Sequence, residues 1–168
     1  MKYNKNNSFY SEKRKGKIGE LAVKNYYLSK GLEVIDVSED KIFHRADIDL
    51  IINDKYLEVK TQSSLNKSQK ITLELETNYY DNLYIKGWFF TTEANTLVFF
   101  DKDKNIAYNI DTNELREIFK ENINDFDIYY FDEDYKVSKL AYISIDFLIQ
   151  KSKTLEIIDY NLQIAWRI

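Results

Sequence analysis

Residues 46–60 read Ala46-Asp47-Ile48-Asp49-Leu50-Ile51-Ile52-Asn53-Asp54-Lys55-Tyr56-Leu57-Glu58-Val59-Lys60, and this stretch predicts a β-hairpin. Asn53-Asp54 suits a two-residue loop, because both side chains tolerate positive φ. Strands are expected over Ala46–Ile52 and Lys55–Gln62. The loop then sets the register: Ile52 faces Lys55, Leu50 faces Leu57, Asp49 faces Glu58 and Asp47 faces Lys60. Side chains alternate along a strand. One face therefore carries Ile48, Leu50, Ile52, Leu57 and Val59, interrupted only by Lys55 at the turn, and is expected to be buried. The other carries Asp47, Asp49 and Ile51 beside Tyr56, Glu58, Lys60 and Gln62.

Asp49 and Glu58 thus oppose each other with side-chain roots about 5 Å apart. Opposed like charges destabilise a sheet by roughly several tenths of a kcal/mol when exposed, and by more when desolvated. A divalent cation between them reverses that sign. Hard cations such as Mg²⁺ take oxygen ligands, often one or two carboxylates plus a substrate phosphate. Lys60 lies two residues beyond Glu58 on the same face, where an ammonium offsets negative charge on an attacking water or a phosphate. The competing reading is an amphipathic hairpin whose polar face meets water, with Lys60 neutralising one acid. Asp47 is a rival for the role of Asp49, but Asp49 stands opposite Glu58 and directly precedes Leu50-Ile51-Ile52.

Upstream, residues 1–10 read as a loose arm. A helix is expected from about Ser11, with Ile18, Leu21, Ala22 and Tyr26 as its apolar stripe. It closes at Ser29-Lys30-Gly31, where Gly31 suits the left-handed residue that ends many helices. A strand over Leu32–Val37 leads to the hairpin. Downstream, strands are expected at Ile71–Thr77, Gly87–Thr91, Thr96–Phe100 and Ile106–Ile110. A helix from Thr112 to about Lys120 is capped at Asp111 or Thr112. Strand-like pieces at 128–131, 140–144, 155–158 and 163–168 surround a short helix near Asp146–Lys151. This order predicts one α/β domain, a mixed central sheet with the first helix on one face. Residues 11–110 form its core, and 111–168 are peripheral additions.

The run Asp49…Glu58-Val59-Lys60 resembles the signature of the PD-(D/E)XK nuclease superfamily. Gly16-Lys17-Ile18-Gly19-Glu20-Leu21-Ala22, then Gly31 and Glu33-Val34-Ile35, is similar to the start of small Holliday-junction-resolvase-like members. The likeness spans roughly residues 15–62. It implies a restriction-endonuclease-like fold in which Asp49 and Glu58 bind Mg²⁺ (Mn²⁺ substituting), Glu20 joins the metal site and Lys60 assists the nucleophilic water. The implied reaction is phosphodiester hydrolysis in DNA, as an endo- or exonuclease. Gln62 extends the motif as in some exonuclease-like branches. Ile48 stands where the superfamily's name places a proline. A nuclease-fold protein that binds DNA or a protein without cutting is the alternative, as is a nuclease acting on RNA.

Charge locates the partner. Net charge is −4, yet residues 1–30 hold eight Lys/Arg against Glu12 and Glu20, while residues 101–134 hold eleven acids against four bases. Lys13, Arg14, Lys15 and Lys17 begin the helix that carries Glu20. Lys67 and Lys70 sit in the loop leaving the strand of Glu58 and Lys60. These six are the expected DNA contacts, forming two walls about the metal. His44, as a base or phosphate contact, is weighed against a solvent-facing residue. Arg45 binds phosphate or pairs with Asp47. Trp88-Phe89-Phe90 is expected to fill the core, with a base-stacking platform as the other reading. Gly16 and Gly19 lack the preceding strand of a nucleotide-cradling loop. Without cysteine, disulfides and thiolate metal sites are excluded. The polar, basic Met1–Asn7 and the lack of an 18-residue apolar run argue for a cytoplasmic protein with no membrane partner. A homodimer is left open.

Overall fold

The Asn53-Asp54 turn forms as expected, with φ of 45° and 67°, the double positive-φ geometry of a tight hairpin loop. The computed structural model describes residues 5–62, 65–81, 83–133, 135–161 and 164–167, with side chains from residue 14 onward apart from 66 and 167. In chain order the elements are α1 (Lys5–Ser29), β1 (Val34–Asp36), α2 (Lys41–Arg45), β2 (Leu50–Ile52), β3 (Lys55–Thr61), α3 (Leu65–Ser68), β4 (Lys70–Tyr79), β5 (Tyr84–Lys86) and α4 (Trp88–Thr91). There follow β6 (Thr96–Asp101), β7 (Ile106–Asp111), α5 (Thr112–Glu121), a 3₁₀ turn at Ile123–Asp125, β8 (Asp127–Glu133), β9 (Lys136–Ser144), α6 (Ile145–Lys151), β10 (Glu156–Asp159) and β11 (Ile164–Arg167).

The chain is a mixed α/β fold, with helices flanking a seven-stranded sheet ordered β1-β2-β3-β6-β7-β10-β11. Its β3–β6 pair is parallel and its other pairs are antiparallel. The crossover from β3 to β6 carries β4 and β5, which join β9 and β8 in a second, antiparallel sheet of order β5-β4-β9-β8. Ile71, Leu73 and Leu75 of β4 and Ala141 and Ile143 of β9 pack with Leu97, Phe99 and Ile110 of the main sheet. The opposite face of the main sheet takes α1 through Val23 and Tyr26 on Leu57, Val59, Val98 and Phe100. Among the described residues, no helix is long and apolar enough to cross a membrane.

Several expectations need correcting. The helix α1 begins by Lys5, so residues 5–10 are helical rather than a loose arm. Its buried stripe runs through Gly19, Val23 and Tyr26, while Ile18 and Leu21 are exposed. Strand β2 starts at Leu50 and not at Ala46, because α2 occupies Lys41–Arg45 and Asp47 turns the chain with a φ of 50°. The segment Gly87–Thr91 is not a strand, for Gly87 opens the single turn α4. A short apolar run does not by itself distinguish a strand from a buried helical turn. Residues 111–168 are not peripheral: β10 pairs with β7, β9 pairs along the whole of β4, and Leu148 and Leu155 lie in the main core.

Gly19 shows why α1 lies so close to β3. A Cβ there would meet Thr61 Oγ1 at 2.0 Å and Phe100 Cδ1 at 3.2 Å. Alanine favours a helix over glycine by about 1 kcal/mol, but overpacking a tight contact costs about 1–3 kcal/mol. Gly19→Ala should therefore lower the urea midpoint, and adding Thr61→Ala should restore it. A midpoint that rises in the single variant would show that α1 has room to spare.

Candidate active site

Four elements bring the expected residues to one cleft of about 610 Å³, lined by Glu20 of α1, Asp49 before β2, Glu58 and Lys60 of β3, Gln62 just beyond it, and Trp88 at the start of α4. The ladder of β2 and β3 follows the expected register at Ile52↔Lys55 and Leu50↔Leu57, and there it ends. Asp49 does not sit squarely opposite Glu58. Its N–H donates to Leu57 O at 2.9 Å, its C=O accepts from Val37 N–H, and its Oδ2 accepts from Val59 N–H at 2.8 Å. The offset arises at Asp47, whose positive φ lies just upstream. Thr92 Oγ1 donates to Asp47 O at 2.9 Å, and Glu93 N–H donates to Ala46 O. The pairing expected between Asp47 and Lys60 does not form, since the ladder stops short of both.

The apolar face of the hairpin is buried as expected, from Ile48 to Val59. Glu58, on the other face, is also buried, with 4% of its surface exposed. Lys60 makes a short ion pair with its Oε1. The Asp49 carboxyl is pushed up to about 8 by burial first, then by the charges of Glu58 and Glu20, against the Val59 N–H and Lys60. Burial alone disfavours the Lys60 ammonium, but Glu58, Asp47 and Asp49 outweigh it and hold the amine above its ordinary value.

No protein-family model matches the chain, and no curated protein matches it. Among solved structures, the chain is similar to a bacterial homing endonuclease at 14% identity, with a TM-score of 0.48 over 76% of this chain and 77% of that one.

The donor set is oxygen-only and crowded with negative charge, which suits a hard divalent cation. Among the described residues, however, no three carboxylate or imidazole groups are already gathered as a metal cage. Glu58 is turned to Lys60, and Glu20 Oε2 to Lys17 Nζ at 2.9 Å. Asp49, Glu58 and Glu20 all line this one cleft and are the acids that could hold a cation there.

The expected DNA contacts divide. Arg14 is exposed and Lys15 lines the cleft beside Gly16. The side chain of Lys13 lies outside the described residues. Lys17 turns instead to Glu20, Glu39 and Ser38. On the other wall, Lys67 is exposed on α3, while Lys70 pairs with Asp127 of β8. His44 and Arg45 are exposed residues of α2 and do not line the cleft.

Three side chains gain roles that strand periodicity did not suggest. Trp88 lies beneath Lys60, whose Nζ is 4.5 Å from a Trp88 ring centroid, within the range of a cation–π contact. A Cβ on Gly87 would lie 2.1 Å from Glu74 O, so only glycine lets α4 press against β4 there. Arg116 of α5 donates to Phe89 O and Thr92 O and fixes the other end of that turn. Gln62 accepts from Thr72 N–H at 3.0 Å and donates to Thr72 O at 2.8 Å. Its amide acts as one more peptide unit, tying the end of β3 to β4 across the floor of the cleft.

Proposed function

We propose that this chain is a metal-dependent nuclease that hydrolyses phosphodiester bonds in DNA. The observation that carries the reading is the acidic pair of half-buried Asp49 and buried Glu58, with Lys60 clamped against Glu58 in an open cleft. Two desolvated carboxylates side by side, one of them driven to about 8, are costly unless a cation shares them. Asp49 and Glu58 would hold Mg²⁺ or Mn²⁺, with Glu20 joining from α1. When bound, the cation supplies Lewis-acid polarisation of the scissile phosphate.

The remaining work falls to the chain itself. The Val59 N–H orients the Asp49 carboxylate by holding its Oδ2. Lys60, held by its ion pair to Glu58 and by the Trp88 ring beneath it, presents its ammonium to the negative charge that develops as water oxygen bonds to phosphorus. The P–O bond to the leaving sugar breaks, one proton of the water passes to solvent, and the leaving sugar oxygen takes up a proton from solvent to become a hydroxyl. Arg14 and Lys15 attract the phosphate backbone toward this point. Set against the superfamily signature, the Asp-Glu-Lys spacing and the helix glutamate both have their counterparts here.

Titration calorimetry should show Mg²⁺ or Mn²⁺ binding that Asp49→Asn and Glu58→Gln each remove while the fold survives. Because burial and the neighbouring acids push the Asp49 carboxyl up to about 8, cation binding at neutral pH should release protons, read as a dependence of the heat on buffer ionisation enthalpy. The same protein should cut DNA with either cation and not in chelator. Unchanged cation binding in both variants would remove these residues from the metal site, and RNA cut in preference to DNA would reassign the substrate.

A further inference from the structure

The cleft has two unlike walls. On the α1 side Lys15 lines the cleft, with the exposed Arg14 next to it in sequence. The opposite wall is the outer face of the second sheet, where Thr72, Glu74 and Leu140 line the cleft. Cross-strand partners share a face of a sheet. Glu74 pairs with Leu140 and Leu140 with Tyr129, while Thr72 pairs with Tyr142. Tyr129 and Tyr142 therefore continue the cleft wall outward from Leu140. Their rings meet edge to face with centroids 5.2 Å apart, and Tyr129 keeps 55% of its surface exposed. Of the two lysines on this side, Lys70 is paired with Asp127 and Lys67 is exposed on α3, and Glu74 adds a carboxylate.

A duplex presents phosphates to both walls of a cleft, and apart from Lys67 this wall offers them acids and rings. A single strand presents phosphates on one side and bases on the other. Resting on the nuclease reading above, we infer that the substrate is single-stranded DNA or an unpaired segment of DNA. Its phosphates lie toward Arg14 and Lys15, and its bases lie on Leu140, Tyr142 and Tyr129. Base stacking on aromatic rings is tolerant of sequence, and the Glu74 carboxylate accepts from exocyclic amino groups such as that of cytosine.

The test measures binding by fluorescence anisotropy on the full chain, with Ca²⁺ in place of Mg²⁺ so that cutting does not compete. Three probes of equal strand length are compared: a natural single strand, the same strand made abasic throughout, and a fully paired duplex. The natural strand should bind about tenfold tighter than the abasic one, which carries the same phosphates, and tighter than the duplex. Tyr129→Ala combined with Tyr142→Ala should erase the difference between natural and abasic strands, and the paired Tyr→Phe variants should keep it. Abasic binding equal to natural, or a duplex bound tightest, overturns the inference. A base-dependent strand preference in a protein that cuts no DNA with Mg²⁺ or Mn²⁺ would sink the nuclease reading and leave this one standing.

Discussion

Lys60→Met should slow DNA cleavage by about 10²–10³-fold, the usual cost of removing one preorganised charge from a transition state, while DNA affinity stays within a few fold. The side chain is held on two sides, by the short ion pair to Glu58 and by the Trp88 ring. Its ammonium is therefore fixed before substrate arrives and needs no reorganisation during the reaction. Methionine keeps most of the volume over Trp88 and removes only the charge. The loss should appear in kcat, with KM and Mg²⁺ affinity little changed. Glu58→Gln should look different, because it removes the proposed metal ligand and the anchor of Lys60 together, so cation affinity should fall along with rate. Substantial cutting by Lys60→Met would take the lysine out of the mechanism and leave it as a structural counter-ion to Glu58.

In chelator, the folded chain should lose stability as pH rises from about 4 to about 8, by several kcal/mol across the window. The sign follows from Asp49. Its folded value of about 8 stands above the ordinary 3.8, so folding takes up a proton wherever pH lies between the two. Stability from this group is fully present below the ordinary value, declines as pH rises, and is lost once pH passes the folded one. A tenfold change in a group's acidity between the folded and unfolded chain corresponds to about 1.4 kcal/mol. Asp49→Asn should flatten the profile and stabilise the metal-free protein at pH 8, since the amide can still accept from the Val59 N–H. Saturating Mg²⁺ should also flatten it, the cation taking the place of the proton and adding stability by mass action. Urea midpoints at pH 5.5 and 8.5 measure the slope. A slope that survives Asp49→Asn would place the titrating group elsewhere.

The hairpin was legible because three constraints agreed at one place: a turn dipeptide, a period-two apolar face, and acids confined to the other face. The register from Ile52 to Leu50 followed from the turn alone. The register failed one residue further on, at Asp49, close to Asp47, which adopts a positive φ that non-glycine side chains rarely take. Thr92 and Glu93, some 45 residues further along the chain, hold that bend, and local propensity carries no trace of such a contact. The α1 stripe was misplaced for a related reason. Gly19 packs without any side chain at all, so the most buried ridge of the helix has a gap where hydrophobic periodicity looks for a large residue. Trp88 was assigned to the core on composition. Only the close approach of Gly87 to Glu74, invisible in a short apolar run, turns its ring toward Lys60.

The second sheet has a consequence for the order in which the protein assembles. Strands β2 and β3 meet across two residues and β6 and β7 across a short turn, so their loops close at little entropic cost. Strand β4 pairs locally with β5 over its last residues, but along most of its length its partner is β9, where the hydroxyls of Thr77 and Ser138 meet across 61 residues of chain. Pairings of such sequence separation form slowly. The acidic hairpin can therefore take shape while the wall facing it is still unformed, leaving the exposed edge of β4 open to other chains. Until β9 docks, the Gln62 amide on Thr72 is the one side-chain tether between β3 and β4 among the described residues, and through it the early half of the molecule can hold the late half in register.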